Sequence, residues 1–464
     1  MIPKSFTTET QRHRGKASTK NLSSSSWFCS SLCLCVSVVS CFVSPISQAQ
    51  PLLRPDHIVI VIEENRSFTQ IIGNHEAPYI NELAKRGALL TQSYGVTHPS
   101  QPNYLALFSG STRGITSNAC PLDLSGANLA ILLQAKGLSF TSYAESMPQA
   151  GYDGCIYGAY MRKHNPAANW KELAANNQPF SAFPADYAQL PTVAFVVPYQ
   201  RNDMHDGSIA QGDAWLKQNI ERYAQWAMKH NSLLILTWDE DDGSSNNRIA
   251  TIFLGAIVKP GQYKQRINHY NLLHTVEEMY GLAYLGESTN TQAVTDVWKT
   301  AIEVIQDFYI RYLSYDHDKT PNVKRPIIAM SKSFYEAVNK NAQICAAHIS
   351  APCGWGADGD EYLDTQEIDP NLSYLSSSIR FKSIKPNLVQ VRLNVYPSVK
   401  DANGYYDNTI TYKVVNENGS WVVDDVMYSD GVSTRQKMAD ENAYAIAHPD
   451  PDSPAVKQSI KTKR

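Results

Sequence analysis

The stretch HIVIVIEEN, residues 57–65, decides the fold of the first part of this chain. Its five consecutive Ile and Val residues, 58–62, are typical of a β-strand that is covered on both faces. Apolar runs of the same kind occur at residues 192–197, 233–238 and 249–258. Because buried strands of this type belong to mainly parallel sheets, the sequence predicts an α/β fold.

Segments with the apolar spacing of helices lie between these runs, at residues 77–86, 128–136, 210–230 and 272–280. Strands that alternate with helices form a sheet with helices on both faces. We therefore predict a three-layer α/β/α sandwich at residues 51–299.

The character of the chain changes after residue 299. Helical patterns at residues 301–313 and 328–339 are followed by a strand-rich half, with an alternating segment at 379–396 and a hairpin formed by 409–415 and 421–427. This order predicts a smaller C-terminal α+β domain at residues 300–448. Residues 449–464 are rich in Pro and Lys and are predicted to be a disordered tail.

The first 50 residues have the features of an export signal. Five basic residues between Lys4 and Lys20 precede an apolar run at 27–43, and Ser47-Gln48-Ala49 offers a cleavage site. An uncleaved membrane anchor is the alternative, but the run is short and is broken by serines. We predict a secreted or periplasmic protein with no stable membrane span after cleavage of this signal peptide.

Four of the eight cysteines lie outside the signal segment. An even number of cysteines in an exported protein indicates disulfides, and the economical pairing joins Cys120 to Cys155 and Cys345 to Cys353, although four cysteines allow three connectivities. A zinc site is the alternative, but no Cys-x-x-Cys spacing supports it.

The overall charge excludes one class of partner. The formal net charge is -3, with 18% charged and 43% hydrophobic residues. This profile is that of an ordinary globular protein and lacks the basic excess of a nucleic-acid binder. We therefore expect no nucleic-acid partner.

Polar side chains follow two of the predicted strands at the point where each strand ends. Glu64 and Asn65 follow the first strand, and Asp239 and Glu240 follow the strand at residues 233–238. Ligands of open α/β sheets bind at the carboxyl ends of the strands. Carboxylate and amide oxygens suit a hard divalent cation, whereas the alternative at each strand end alone is an ordinary solvated loop.

Ser100 lies before a predicted helix at residues 105–109 and after a predicted strand at 89–96. The amino end of a helix attracts an anion through its free N–H groups and its dipole, so Ser100 is a candidate nucleophile for an anionic substrate. A simple N-cap is the alternative. No Gly-x-Ser-x-Gly sequence surrounds it, which argues against an α/β-hydrolase esterase.

Two histidines are candidates for proton transfer. His205 lies in the polar run that follows the strand at residues 192–197, and His269 precedes a predicted helix. Three further polar positions could offer positive charge to a phosphate, namely the segment 163–165 (Lys-His-Asn), Arg66 and Arg248.

Four motifs in this order resemble one known family. They are Glu64-Asn65, residues 98–104 (HPSQPNY), residues 202–208 (NDMHDGS) and residues 238–243 (WDEDDG). Together they resemble the phosphoesterase family of the alkaline-phosphatase superfamily, which contains bacterial acid phosphatases and phospholipases C. The resemblance covers about residues 56–298 and implies a sandwich of the alkaline-phosphatase type. The C-terminal domain lies outside it and is similar in pattern to NTF2-like domains.

The resemblance implies a metal site as well as a nucleophile. It places the nucleophile at Ser100 and a divalent metal ion on Glu64, Asn65, Asp239 and Glu240, with help from the Ser100 oxygen. Because these ligands are rich in oxygen, Mg, Mn or Ca is favoured over Zn.

The resemblance also implies roles for residues that contact the substrate. Asn103 and His205 would contact the transition state, and His269 would belong to the same catalytic set. The implied function is a secreted acid phosphatase that hydrolyses small-molecule or lipid phosphomonoesters, phosphatidylinositol 3-phosphate among them, through a phosphoserine. A phospholipase C-type phosphodiesterase is one alternative. A non-catalytic binding protein that works through its C-terminal domain is another.

Overall fold

A computed structural model describes residues 52–315, 325–357, 359–367, 369–374, 378–399, 406–417 and 420–462. The predicted signal peptide at residues 1–50 lies outside the described residues. The strands are β1 (His57–Glu63), β2 (Ala88–Tyr94), β3 (Phe140–Ala144), β4 (Ile156–Tyr157), β5 (Tyr160–Met161), β6 (Asn177–Pro179), β7 (Val193–Val197), β8 (Ser232–Trp238), β9 (Arg248–Leu254), β10 (Gly261–Asn268), β11 (Ile379–Lys385), β12 (Leu388–Asn394), β13 (Asp407–Glu417) and β14 (Ser420–Met427). The helices are α1 (Phe68–Ile71), α2 (Pro78–Arg86), α3 (Ser100–Ser109), α4 (Leu129–Ala135), α5 (Ile209–Ala227), α6 (His269–Tyr280), α7 (Ala301–Leu313), α8 (Lys332–His348), α9 (Thr434–Ala447) and α10 (Pro454–Thr462).

The first part of the chain forms an eight-stranded sheet in the order β10-β2-β9-β8-β1-β7-β3-β6. Five of its strand pairs are parallel, and only the two pairs that involve β9 are antiparallel. The continuous apolar run of β1 lies near the centre, between β7 and β8, where Ile58 to Val61 are fully buried. The predicted mainly parallel α/β sheet is confirmed.

Helices cover both faces of this sheet. Residues of α2 and α5, including Leu83 and Leu216, pack against the face that carries Val59 and Val61. Residues of α3, α4 and α6 pack against the opposite face, which carries Ile58, Ile60 and Ile62. Alternate residues of β1 therefore enter two separate cores, as expected of a strand in the middle layer of a three-layer sandwich.

The C-terminal part has its own core and its own sheet. Strands β11 to β14 form a four-stranded antiparallel sheet in sequence order, and α7 packs against it together with α8 and α9. The hairpin of β13 and β14 is confirmed, although its turn at residues 418–419 lies outside the described residues. The Trp421 side chain packs against both cores and donates from Nε1 to the Lys299 carbonyl at 3.2 Å. The boundary at residues 299/300 and the NTF2-like assignment stay predictions.

Two other expectations concern the ends and the cross-links of the chain. The structure pairs Cys120 with Cys155 and Cys345 with Cys353, as the sequence favoured. The predicted disordered tail differs, since residues 454–462 form α10, which begins at Pro454 and packs against α8. Pro at the start of a helix is favourable because its missing N–H would have no partner there. Across the described residues, the helices are all too short or too polar to cross a membrane.

Candidate active site

The candidate active site lies at the carboxyl edge of the large sheet, where β1, β7 and β8 end side by side. The parallel pairing of β1 with β8 continues as far as Glu63 and Trp238, so the residues that follow these two strands meet. Asn65 donates its backbone N–H to Asp239 Oδ1 at 3.2 Å, and its side-chain Nδ2 to Glu240 Oε1 at 3.2 Å. Residues about 175 positions apart in sequence are thus in contact.

Ser100 reaches this edge as the first residue of α3 and is 1% exposed. Its Oγ lies 3.0 Å from Glu64 Oε2, 3.4 Å from Asn65 Oδ1 and 3.3 Å from Glu240 Oε1. The first N–H groups of α3 have no partners within the helix, and the helix dipole adds positive potential at this end. One hydroxyl is therefore surrounded by three oxygen-bearing side chains at a place that favours an anion.

Asn103 holds the loop that carries Ser100. Its Oδ1 accepts the N–H groups of Val96 at 2.8 Å and Thr97 at 3.1 Å, and its Nδ2 donates to the Thr97 carbonyl at 2.8 Å. The same Nδ2 lies 3.4 Å from Glu240 Oε2. The Asn103 amide therefore positions the loop that carries Ser100 and one of the acidic side chains, and its predicted contact with a transition state stays a prediction.

The four consecutive acids after β8 divide into two pairs. Asp239 and Glu240 face Ser100 and Asn65, as described above. Asp241 instead accepts backbone N–H groups of its own loop, from Gly243 at 2.7 Å and Ser245 at 2.8 Å. Asp242 accepts the Gln70 side chain at 2.9 Å. The first pair therefore faces Ser100, while the second pair shapes the loop.

Among the described residues, the carboxylates of the site are buried together without an ion pair to Lys or Arg. Burial, and then the charges of Asp239 and Asp203, raise the pKa of Glu64. Burial, followed by the charge of Glu240, raises the pKa of Asp239 to about 8, and burial raises the pKa of Glu240 to about 7. No Lys or Arg among the described residues forms an ion pair with these three groups. Buried like charges of this kind call for a positive partner from outside the chain.

A second cluster adjoins the first and shares Glu64. His164 Nε2 lies 3.1 Å from Glu64 Oε1, and His164 Nδ1 lies 3.4 Å from Asp203 Oδ2. One potential ligand atom from each of these three side chains lies within 4.8 Å of the other two, and all three residues are at most 1% exposed. Burial lowers the pKa of His164 and raises that of Asp203 to about 7. His164, predicted as a source of positive charge, is thus a buried neutral imidazole, a form that can bind a metal.

Several buried atoms at this edge lack a partner. Within the described part of the chain, His164 Nε2, Asp203 Oδ2 and Asp239 Oδ2 have no partner with hydrogen-bond geometry. Buried polar atoms are normally satisfied, so atoms left over at one place indicate a missing ligand. The side-chain groups that could coordinate a metal here are carboxylates, an amide oxygen, a hydroxyl and one imidazole. This set fits a divalent cation.

The two predicted histidines occupy different positions. His205 is partly exposed, and its Nδ1 lies 2.7 Å from Asp206 Oδ1, while its ring centre is 5.9 Å from that of His164. His269 is buried at the start of α6, with Nε2 2.6 Å from the Asp239 carbonyl. Because a carbonyl only accepts, His269 Nε2 carries the proton. Burial lowers the pKa of His269 to about 4, so this ring is neutral and positions Asp239.

The three candidate cations also differ in how they are used. Arg66 donates to the Gly207 carbonyl at 3.1 Å, and Arg248 donates to the Thr91 carbonyl and lies over the Phe68 ring at 4.0 Å. Both guanidinium groups therefore hold backbone and aromatic neighbours. Lys163 is partly exposed, and its charge acts to lower the pKa of Glu64 and Glu240 against the larger effect of burial, so its field reaches the site.

Sequence analysis assigned no role to Tyr104 or His98, both of which contact the site. The Tyr104 hydroxyl donates to Glu64 Oε1, and its ring stacks on that of His164 at 5.4 Å. His98 Nδ1 lies 2.8 Å from Glu240 Oε2. Both residues belong to the HPSQPNY motif that contains Ser100, and this was the sequence feature that could have indicated their contact with the site.

Comparisons with known proteins identify the family. The model of the phosphoesterase family matches residues 74–283. A phosphatidylinositol-3-phosphatase of Mycobacterium tuberculosis is 53% identical over 247 residues, which cover 52% of this chain and 82% of that relative. An acid phosphatase of Aspergillus fumigatus is 32% identical over 262 residues, which cover 51% of this chain and 56% of that relative.

A solved structure, a protein in the alkaline phosphatase superfamily from Vibrio parahaemolyticus, shares 14% identity and a TM-score of 0.36, with 52% of this chain and 71% of that chain covered. A match this distant adds no argument about function. The relative at 53% identity does, because 82% of its length is matched by this chain. The chain belongs to the phosphoesterase family, as its four motifs indicate, and is a phosphoric-ester hydrolase.

Proposed function

We propose that this protein is a secreted acid phosphatase that hydrolyses phosphomonoesters, phosphatidylinositol 3-phosphate among them, through a phosphoserine formed on Ser100. The observation that carries the proposal is the Ser100 hydroxyl, which lies within 3.4 Å of Glu64, Asn65 and Glu240 at the amino end of α3. The relative named phosphatidylinositol-3-phosphatase supports the choice of a monoester. The two disulfides support export, since disulfides persist in oxidising compartments.

Ser100 is suited to attack phosphorus. Its hydroxyl donates to the Glu64 carboxylate at 3.0 Å, so the proton has an acceptor as the oxygen approaches the phosphorus atom. The backbone N–H of Ser100 at the start of α3 would receive an equatorial oxygen of the phosphate, because Gln101 donates its own N–H to Asn118 at 3.0 Å and Pro102 has none. The new bond joins Ser100 Oγ to phosphorus while the bond to the alcohol oxygen breaks, and water then releases phosphate from the serine.

A divalent metal ion would be held by Glu64, Asn65, Asp239 and Glu240, next to Ser100. When bound, such an ion supplies positive charge that favours the ionised serine and offsets charge on the phosphate. The buried carboxylates described above fit this role because, among the described residues, no Lys or Arg forms an ion pair with them and burial raises the pKa of Asp239 and Glu240. Their oxygen atoms favour Mg, Mn or Ca, while the neighbouring imidazole of His164 also suits a transition metal.

His205 is the best placed proton donor for the departing alcohol. It is the more exposed of the two predicted histidines, and its Nδ1 faces Asp206 at 2.7 Å. That contact orients the ring and leaves Nε2 free to face the substrate. The relatives named acid phosphatase support the choice of an acid phosphatase.

The experiment that tests this proposal traps the intermediate. The full chain is mixed with p-nitrophenyl phosphate, quenched in acid and digested, and the peptide with Ser100 is examined by mass spectrometry for one added phosphoryl group. Initial rates are compared on this monoester and on a phosphatidylcholine diester, with chelator and after each metal is restored. Phosphate on a different residue overturns the role of Ser100, and faster turnover of the diester would assign the phosphodiesterase instead.

A further inference from the structure

A small hairpin beside the site exposes two large apolar side chains. Strands β4 and β5 form this hairpin, in which Ile156 pairs with Met161 and Tyr157 pairs with Tyr160. Ile156 is 60% exposed and Tyr157 is 55% exposed. Among the exposed large apolar side chains of the described residues, these two alone are neighbours in sequence. Scattered exposed apolar residues are ordinary, but an adjacent pair at a hairpin tip suggests a contact surface.

The hairpin is fixed to the protein. The Cys120–Cys155 disulfide ties its first strand, and the buried Tyr160 packs against Ala144 and Val197. These last two residues end β3 and β7, so the hairpin lies at the carboxyl edge of the large sheet, the edge that carries the active site. Two anchored strands present Ile156 and Tyr157 outward in a defined position.

The chain runs from this hairpin directly into the active site. His164, which lies 3.1 Å from the Glu64 carboxylate, follows Tyr157 by seven residues. Seven residues span at most about 25 Å, so the exposed pair is within that distance of the site. One surface can therefore present a substrate to Ser100 and contact Ile156 and Tyr157 at the same time.

The chemistry of the segment favours a lipid surface. Residues 154–161 (GCIYGAYM) contain no charged side chain, and the partly exposed Lys163 follows two residues later. Arg162, between them, is buried and donates to backbone carbonyls, so Lys163 is the basic side chain next to this segment that can meet a lipid headgroup. Aromatic and aliphatic side chains near a basic residue are typical of segments that enter the interface of an anionic bilayer, and Tyr is favoured at that depth. A stable protein interface buries about 800 Å² on each partner, far more than two side chains supply. Two apolar side chains instead suit weak, reversible membrane contact.

We propose that the β4–β5 hairpin inserts Ile156 and Tyr157 into the surface of a lipid bilayer, so that the enzyme removes phosphate from lipid headgroups while it is bound to the membrane. This inference rests on the proposed function of the Ser100 site and names its substrate class as phosphomonoesters embedded in a bilayer. It assigns the hairpin a role in substrate access and none in the chemical step.

The test compares two double variants of the full chain. In the first, Ile156→Ser and Tyr157→Ser remove the exposed pair. In the control, Tyr444→Ser and Ile446→Ser remove a Tyr and an Ile of α9 that are 62% and 56% exposed, far along the chain from the site. Initial rates are measured on phosphatidylinositol 3-phosphate in phosphatidylcholine vesicles that contain phosphatidylserine, and on a soluble short-chain ester with the same headgroup. Flotation with the same vesicles lacking substrate measures binding.

We expect the hairpin variant to lose about tenfold of its vesicle rate and its flotation, while its rate on the soluble ester stays within about twofold of the unmodified protein. The control variant should match the unmodified protein in all three measurements. Equal vesicle rates for both variants overturn the inference, as does a loss on both substrates or a concentration-dependent dimer that only the hairpin variant lacks. If the unmodified protein hydrolyses no phosphate ester, it is the proposed function that fails.

Discussion

Asp239, at the carboxyl edge of the large sheet, and Asp424, in β14 of the C-terminal sheet, show two ways in which one protein treats a carboxylate. Asp239 is 1% exposed and lies beside Glu240 and Glu64, and one of its oxygens has no hydrogen-bond partner among the described residues. Asp424 accepts from Lys413 at 2.9 Å, Arg435 at 2.7 Å and Ser331 at 2.8 Å. The first lacks the cationic partners that the second has.

The pKa values of the two groups move in opposite directions. Burial and the charge of Glu240 raise the pKa of Asp239 to about 8. Burial also acts to raise the pKa of Asp424, but the hydrogen bonds of Lys413 and Ser331 and the charge of Arg435 outweigh it and lower the pKa to about 2. A carboxylate satisfied within the chain serves the fold, whereas buried carboxylates left without a cation indicate a site for a ligand.

The largest effect should come from Ser100→Ala. Loss of the hydroxyl removes the atom that forms the bond to phosphorus, so turnover of p-nitrophenyl phosphate should fall by on the order of 10³-fold or more. Ser109→Ala is the matched control, because Ser109 lies at the other end of the same helix, is 2% exposed, donates to backbone carbonyls and accepts from Arg113 Nε at 3.1 Å, away from the acidic side chains of the site. Circular dichroism should show the same fold for both variants. A Ser100→Ala enzyme with a near-normal rate removes the nucleophile from the mechanism.

The second largest effect should be that of removing the metal, which distinguishes Asp239 from Asp424. Chelation should reduce the rate of the unmodified protein by about 10²-fold or more and should lower its melting temperature, because a cation that binds only the folded state stabilises it. Asp239→Asn should abolish both the metal-dependent rate and the metal-dependent rise in melting temperature. Asp424→Asn should keep both. Full activity in chelator would show that the carboxylates at the sheet edge serve another purpose.

The sequence predicted those features of the fold and of the site that depend on local patterns. Continuous apolar runs located β1, β7 and β8, and the acids that follow β1 and β8 were placed at one edge because parallel strands end together. β10 was missed because it lies at the edge of the sheet and most of its side chains are not buried, which leaves little apolar pattern. His164 gave no metal signal because it lies in a run of short turns and meets Glu64 across 100 residues. Such contacts depend on the tertiary fold.

A third prediction concerns how the stability of the protein depends on pH in the presence of chelator. Carboxyl groups of an unfolded chain titrate near about 4, so folded values of about 8 for Asp239 and about 7 for Glu240 mean that the folded state holds these protons more tightly. Ionisation of these groups therefore costs stability, and this cost grows as the pH rises from about 4 to 8.

The metal-free protein should accordingly become more stable as the pH is lowered from 8 towards 5, by about 1 kcal/mol or more in urea unfolding. Asp239→Asn removes one titrating group, so its stability should depend less on pH over this range. Divalent cation added at pH 8 should stabilise the unmodified protein and have little effect on the variant. A flat profile for the metal-free unmodified protein would mean that the buried carboxylates are compensated in another way.

The smallest effect should be that of Asp424→Asn, which removes a satisfied charge. A folded pKa of about 2 against an unfolded value near about 4 means that the ionised Asp424 stabilises the fold above about pH 4 and that this contribution is lost as the pH falls through about 2. Because Lys413 and Arg435 are partly solvated, we expect a loss of only about 1 kcal/mol at pH 7 in urea unfolding. The difference from the unmodified protein should vanish near pH 2, and the rate on p-nitrophenyl phosphate should not change. A large loss of rate would contradict the division between the two carboxylates, because it would couple the C-terminal sheet to the chemistry at Ser100.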